Sequence, residues 1–332
     1  MQEYDGSGLH KIYDQWPQIA HSSFEAGLTE LDFKNIEHIV FAGMGGSGTI
    51  GDVFSSILSR TNLHVSVVKG YLLPKTVNSN TLIVATSISG NTHETLKVLD
   101  SAKKISKNVV AFSSGGKIEN YCVANNVEFR KIKQFHSPRA SFSSFMYGIL
   151  KVLIPTIPIT KQEVLDSISS LENIKSKIFS GNLSNDNQSI DLAKWITGIP
   201  MIYYPQGLQS AAIRFKNSIQ ENAKTHAMTE DVLEACHNGV VSWEKVAKVN
   251  PILIEGKDDY IKTKERWKII KEFFEEREIE YKEVFSVEGG ILSKIISLIY
   301  LLDYSSIYLA ILNKIDPTPV NSIDFVKKRL KI

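Results

Sequence analysis

The chain has 332 residues, 43% of them hydrophobic, and its 38 basic and 36 acidic side chains leave a formal charge of +2. That length makes two domains or one large one with a real core. The near-neutral balance excludes the strong basic field of a nucleic-acid binder, and the opening MQEYDGSGLH lacks the blocks of a secretory signal.

An apolar strand-like run over 38–42 leads into Gly43-Met44-Gly45-Gly46-Ser47-Gly48, which opens a helix-like run over 48–60. A second strand is expected over 64–68, and a third over 81–86 leads into Ser87-Ile88-Ser89-Gly90-Asn91-Thr92 and a helix over 92–104. Strands over 108–112 and 127–132, with a helix over 117–125 between them, complete an alternation that predicts an α/β, doubly wound parallel sheet. Cys122 falls in that helix and Cys236 far downstream. Two such distant thiols form no metal cluster and point to a reducing cytoplasm. Arg139 follows the last strand in Ser137-Pro138-Arg139-Ala140-Ser141, and Pro155 and Pro158 then mark a domain crossing. The expected domains are 1–155 and 156–332.

The second half repeats the alternation less cleanly. A helix over 161–179 and a loop over 180–189 precede a strand over 200–204 and a helix over 208–224. Strands over 251–255 and 281–287 flank a helix over 262–277. The apolar stretch 291–312, broken by Lys294, Asp303 and several serines, reads as a buried helix rather than a membrane span.

The two glycine and hydroxyl turns carry the first chemistry. Glycine lets the backbone pass close to a ligand, and hydroxyls with helix N-terminal N–H groups suit an anion. Neither turn has the lysine of a nucleotide-binding P-loop, so a phosphorylated metabolite is the expected ligand. Gly43-x-Gly45-x-x-Gly48 matches the dinucleotide fingerprint in form, yet the second strand ends in Val68-Lys69 where that fingerprint needs a carboxylate. Asn91 and Glu94 are placed to form a capping box on the third strand's helix. Arg214 and Glu221 lie seven apart on one helix face, as a salt bridge or as a base beside a cation. His237, in Cys236-His237-Asn238, is suited to proton transfer or is simply exposed.

Taken together, GMGGSG, SISGNTHET, SPRAS, ENAK, the downstream HN and the tail LLDYSSIYLAILNKIDPTPV resemble the dual-specificity phosphoglucose/phosphomannose isomerases of the sugar-isomerase (SIS) superfamily. The resemblance runs from about residue 39 to 330. It implies two SIS domains, each a parallel sheet flanked by helices, and a cytoplasmic homodimer needing no metal or redox cofactor. It implies that Gly46, Ser47, Ser87, Ser89 and Thr92 hold a sugar phosphate. Arg139 would stabilise the reacting oxygens, Glu221 would move a proton between C2 and C1, and His237 of a partner subunit would help open the ring. The chain departs from the family at its C-terminal helix, where Tyr308 stands at the place of a ring-opening lysine and Lys314 is the nearest lysine. A non-catalytic SIS regulator that binds sugar phosphates is the competing expectation; it would keep the serine turns and need neither Glu221 nor His237.

Overall fold

The computed structural model describes residues 3–245 and 247–330. The chain divides into two compact units. One comprises Gln15–Ile168 with Val320–Ile332; the other comprises Met1–Asp14 with Ser169–Pro319.

The first unit is built on five parallel strands: β1 (His38–Ala42), β2 (His64–Val68), β3 (Thr81–Ser87), β4 (Val109–Ser113) and β5 (Glu128–Lys131). Their order is β2-β1-β3-β4-β5. Every residue of β1, β3 and β4 is buried, as expected of strands covered on both faces. The register sets Ala42 against Ala85 and Ser87 against Ser113. Val98, Leu99 and Ala102 of the helix His93–Ala102 join Val40, Ile83 and Ala111 in one apolar cluster. On helix Gly46–Leu58, Phe54 stacks on Phe41 at 4.5 Å. Helix Phe142–Leu153 is tied to helix Trp16–Phe24 by Ser143 Oγ donating to the Trp16 carbonyl at 3.0 Å.

The second unit carries β6 (Ile199–Tyr204), β7 (Met228–Asp231), β8 (Val249–Glu255) and β9 (Lys282–Phe285), all parallel, in the order β7-β6-β8-β9. The first strand of each sheet thus lies between the second and third, and the duplication of architecture expected from sequence is present. The long apolar helix Ile291–Leu312 has the length of a membrane span but is 89% buried in its apolar window, a core helix of this unit.

The domain division differs from the expected break at residue 155. The described residues before Gln15 belong with the later sheet, where hydroxyls hold them. Tyr13 donates to Asp303 at 3.0 Å, Tyr300 donates to the Tyr13 carbonyl at 2.7 Å, and Tyr304 donates to the His10 carbonyl at 3.1 Å. The last helix, Asn321–Arg329, belongs with the first unit.

Candidate active site

In the first unit the chain runs from β1 to one side of the sheet and from β3 to the other, so the ends of these adjacent strands form the topological switch point where ligands gather. Both glycine and hydroxyl turns start there. Gly43 has no room for a side chain: a Cβ would stand 2.9 Å from the Thr86 carbonyl oxygen and from the Ser47 backbone. Gly90, at φ 72°, presses so closely on the next turn that a Cβ would meet the Gly115 carbonyl oxygen at 1.7 Å. Close packing of backbone on backbone draws the turns together.

The structure brings Ser47, Ser87 and Thr92, three of the five expected phosphate ligands, into one cradle, with Ser89 exposed at its edge. The Ile88 N–H, between Ser87 and Ser89, donates to Ser47 Oγ at 3.2 Å, which joins the two turns. Ser87 Oγ and Thr92 Oγ1 are hydrogen-bonded at 2.8 Å. Ser89 is exposed, and its Oγ accepts from the Asn91 N–H at 3.4 Å. No side chain caps either helix start, Gly46–Leu58 or His93–Ala102, which suits both N-termini to an anion. Arg139 is buried, and its Cα would lie 3.7 Å from a Cβ on Gly46, so the Ser137–Ala140 loop closes over the first turn.

The capping box expected of Asn91 and Glu94 does not form. The left-handed Gly90 turns Asn91 toward the neighbouring helix, where its Oδ1 accepts from the Lys117 N–H at 3.2 Å. Glu94 instead accepts from the Tyr71 hydroxyl at 3.3 Å. The dinucleotide reading fails on geometry as well as residue type. Lys69, after β2, pairs with Asp52 at 2.6 Å, and its methylenes would lie 3.2 and 3.3 Å from a Cβ on Gly48. A cation lies across the turn where a ribose-binding carboxylate is required.

Glu221 and His237 belong to the second unit. The helix Gln209–Ser218 after β6 passes into a single π turn, Ile219–Ala223, and half-buried Glu221 stands on it. Sequence periodicity reads this run as one continuous helix; the π turn changes the direction of Glu221, and such turns are frequent at functional sites. The ENAK motif builds it. Asn222 is buried and donates to Ser306 Oγ at 2.8 Å. Lys224 takes a left-handed backbone at φ 55° and donates from Nζ to the carbonyls of Glu221 at 2.6 Å and Pro317 at 3.1 Å, which links the motif to the DPTPV tail. Arg214 does not make its main pair with Glu221. Its Nη2 lies 2.6 Å from Asp303 Oδ2, both residues buried. Burial pushes the guanidinium pKa down, and Asp303, Tyr13 and Glu221 together more than reverse it, for a net upward shift.

His237 is exposed, on the turn that follows the short helix Val232–Ala235 after β7. Its backbone N–H donates to the Glu234 carbonyl at 2.9 Å, while neighbouring Asn238 donates to the Glu234 carboxylate at 2.8 Å. Tyr308 is a core residue: its hydroxyl donates to the Ile178 carbonyl at 3.0 Å, and burial pushes its pKa up to about 12. Lys314 is exposed, past the end of helix Ile291–Leu312, in a left-handed turn at φ 59°.

Comparison with known proteins agrees with this geometry. Residues 185–330 match the bacterial phospho-glucose isomerase C-terminal SIS domain, and residues 32–133 match the SIS domain. A bifunctional phosphoglucose/phosphomannose isomerase of Caldicellulosiruptor bescii is 29% identical over 95% of this chain and 96% of its own. One of Pyrobaculum calidifontis is 31% identical over 67% of this chain and 69% of its own. The chain belongs to the bifunctional phosphoglucose/phosphomannose isomerase family. Among solved structures, the tagatose-6-phosphate ketose/aldose isomerase of Escherichia coli superposes with a TM-score of 0.69 at 14% identity, covering 95% of this chain and 96% of its own. That likeness agrees with the fold, and the two family matches make it two SIS domains.

Proposed function

We propose that the protein interconverts glucose 6-phosphate and mannose 6-phosphate with fructose 6-phosphate through an enediolate. Membership of a family named for these two isomerisations carries the reading. The hydroxyls of Ser47, Ser87, Ser89 and Thr92, with Gly46 and the two helix N-termini, hold the phosphate. Glu221, as carboxylate, takes the weakly acidic C2 proton of the open-chain aldose and returns it to C1. Arg139 stabilises the negative charge that develops on the O1–O2 pair. The two aldoses differ only at C2, which becomes planar in the enediolate, so one base serves both. No electron leaves the substrate: Glu221 carries the carbon-bound proton from C2 to C1, and O2 gives up its hydroxyl proton while O1 gains one.

The protein acts in this reading as a cytoplasmic homodimer on the sugar phosphates of glycolysis and gluconeogenesis. Both cysteines being free thiols fits a reducing compartment. His237 assists ring opening from the partner subunit, a role its exposure permits. Glu221→Gln is expected to lower kcat by about 10²–10⁴-fold while retaining affinity for 5-phosphoarabinonate. Mixing it with His237→Ala under demonstrated subunit exchange should return activity, because a mixed dimer contains one site with both native residues. Turnover above half the native value in Glu221→Gln removes the base. Exchange without recovery removes the shared site.

A further inference from the structure

A π turn breaks the regular helical hydrogen-bond ladder and persists only where neighbours hold it. Two residues of the core helix Ile291–Leu312 hold this one. Asp303, fully buried, accepts from Ser218 Oγ at 2.6 Å, on the residue immediately before the turn. Three residues on, Ser306 accepts from Asn222 within the turn and passes its own hydroxyl hydrogen to the Asp303 carbonyl at 2.6 Å. The other oxygen of Asp303 accepts from Arg214 Nε at 3.0 Å and Nη2 at 2.6 Å, and from the Tyr13 hydroxyl at 3.0 Å. One carboxylate therefore holds the side chain of the residue entering the turn and the buried Arg214, on which Glu221 also acts.

We propose that Asp303 is a positioning residue for proton transfer, which aims Glu221 through Ser218 and balances the charge of Arg214 beside it. The proposal rests on the reading of Glu221 as the base. Asp303 on the core helix, Tyr13 on the N-terminal helix Leu9–Tyr13 and Glu221 itself all act on Arg214, and Lys224 Nζ holds the Glu221 carbonyl. Asp303 and Arg214 form a buried ion pair beneath the turn. Without the Asp303 carboxylate, Ser218 and Arg214 lose the group that holds them, and the π turn that carries Glu221 loses its support. Tyr13 gives the first fourteen residues a part in this network, far from Glu221 in sequence.

The test is the split between kcat and KM for fructose 6-phosphate in Asp303→Asn, with thermal melting as a check on folding. Asparagine keeps the shape and removes the charge. At neutral pH kcat should fall on the order of tenfold. KM and the affinity for inorganic phosphate should stay unchanged. A native kcat, or kcat and KM that change together with the folded fraction, overturns the proposal. Should Asp303→Asn fail to fold, Ser218→Ala decides. It loosens the turn without burying a lone charge, so a lower kcat at native KM supports the role of Asp303 and a native kcat overturns it. If Glu221→Gln is inactive while Asp303→Asn keeps the native kcat, only the positioning claim falls. If Glu221→Gln stays active, both fall.

Discussion

Ser87 and Ser89 are two residues apart and differ in surroundings. Ser87 is 1% exposed and bonded to Thr92, whereas Ser89 faces solvent. Ser89→Ala should therefore weaken phosphate binding alone, by the roughly 1.5–3 kcal/mol of a hydrogen bond to a charged group. Ser87→Ala should add a loss of stability, because it leaves Thr92 Oγ1 without its partner. KM for fructose 6-phosphate and the melting temperature separate the two; native affinity in both variants would mean that the serines only shape the turn. These hydroxyls were legible in the sequence because glycine and serine at the end of an apolar strand have a local meaning. The partner of Arg214 was not legible: Asp303 is 89 positions away, and periodicity within one helix points to Glu221 instead. Asn91 misled for a related reason, since a left-handed glycine before it redirects a side chain that would otherwise cap its own helix.

Among the elements, β1 and β2 fall at 38–42 and 64–68 as expected, β3 and β6 each gain one residue at an end, and β4 moves by one residue as a whole. Buried parallel strands announce themselves as apolar runs. β7 was missed because Met228-Thr229-Glu230-Asp231 is an edge strand with no buried residue. The loop expected over 180–189 ends in a helix, Gln188–Trp195, whose start is fixed by Asn187 accepting from the Ser189 and Ile190 N–H groups. At the end of β8, Glu255 is buried against Lys271 at 2.7 Å, which also pairs with Glu283. Burial pushes the Glu255 carboxyl from an ordinary 4.5 up to about 7, with Lys271 opposing. The folded protein therefore binds more protons than the unfolded chain across that window, and its stability falls as pH rises through it. Glu255→Gln should remove this loss. Urea unfolding should show the variant ahead of the native protein by on the order of 1 kcal/mol at pH 8 and level with it near pH 5. An equal difference at both pH values would contradict the raised carboxyl.

At the scale of the whole molecule, one strand order occurs twice and the chemistry is not repeated. β3 leads into Ser87-Ile88-Ser89-Gly90, whereas β8 ends on Glu255 before Gly256-Lys257-Asp258. A carboxylate in the place of a hydroxyl repels a phosphate, so the first unit keeps the cradle and the second presents Glu221 on its π turn. The alternation of strands and helices revealed this plan, but the ends of the chain did not follow it. Residues 3–14 carry few apolar side chains, and polar bonds such as those of Tyr13, Tyr300 and Tyr304 show where they belong. The central claim is that one base forms both aldose phosphates from one ketose. Purified protein should be given fructose 6-phosphate in chelator-treated buffer without nicotinamide, and the products followed by NMR. Glucose 6-phosphate and mannose 6-phosphate should both appear, and Glu221→Gln should form neither at a comparable rate. Fructose 6-phosphate that binds and stays unchanged would contradict the assignment and leave a sugar-phosphate-binding protein.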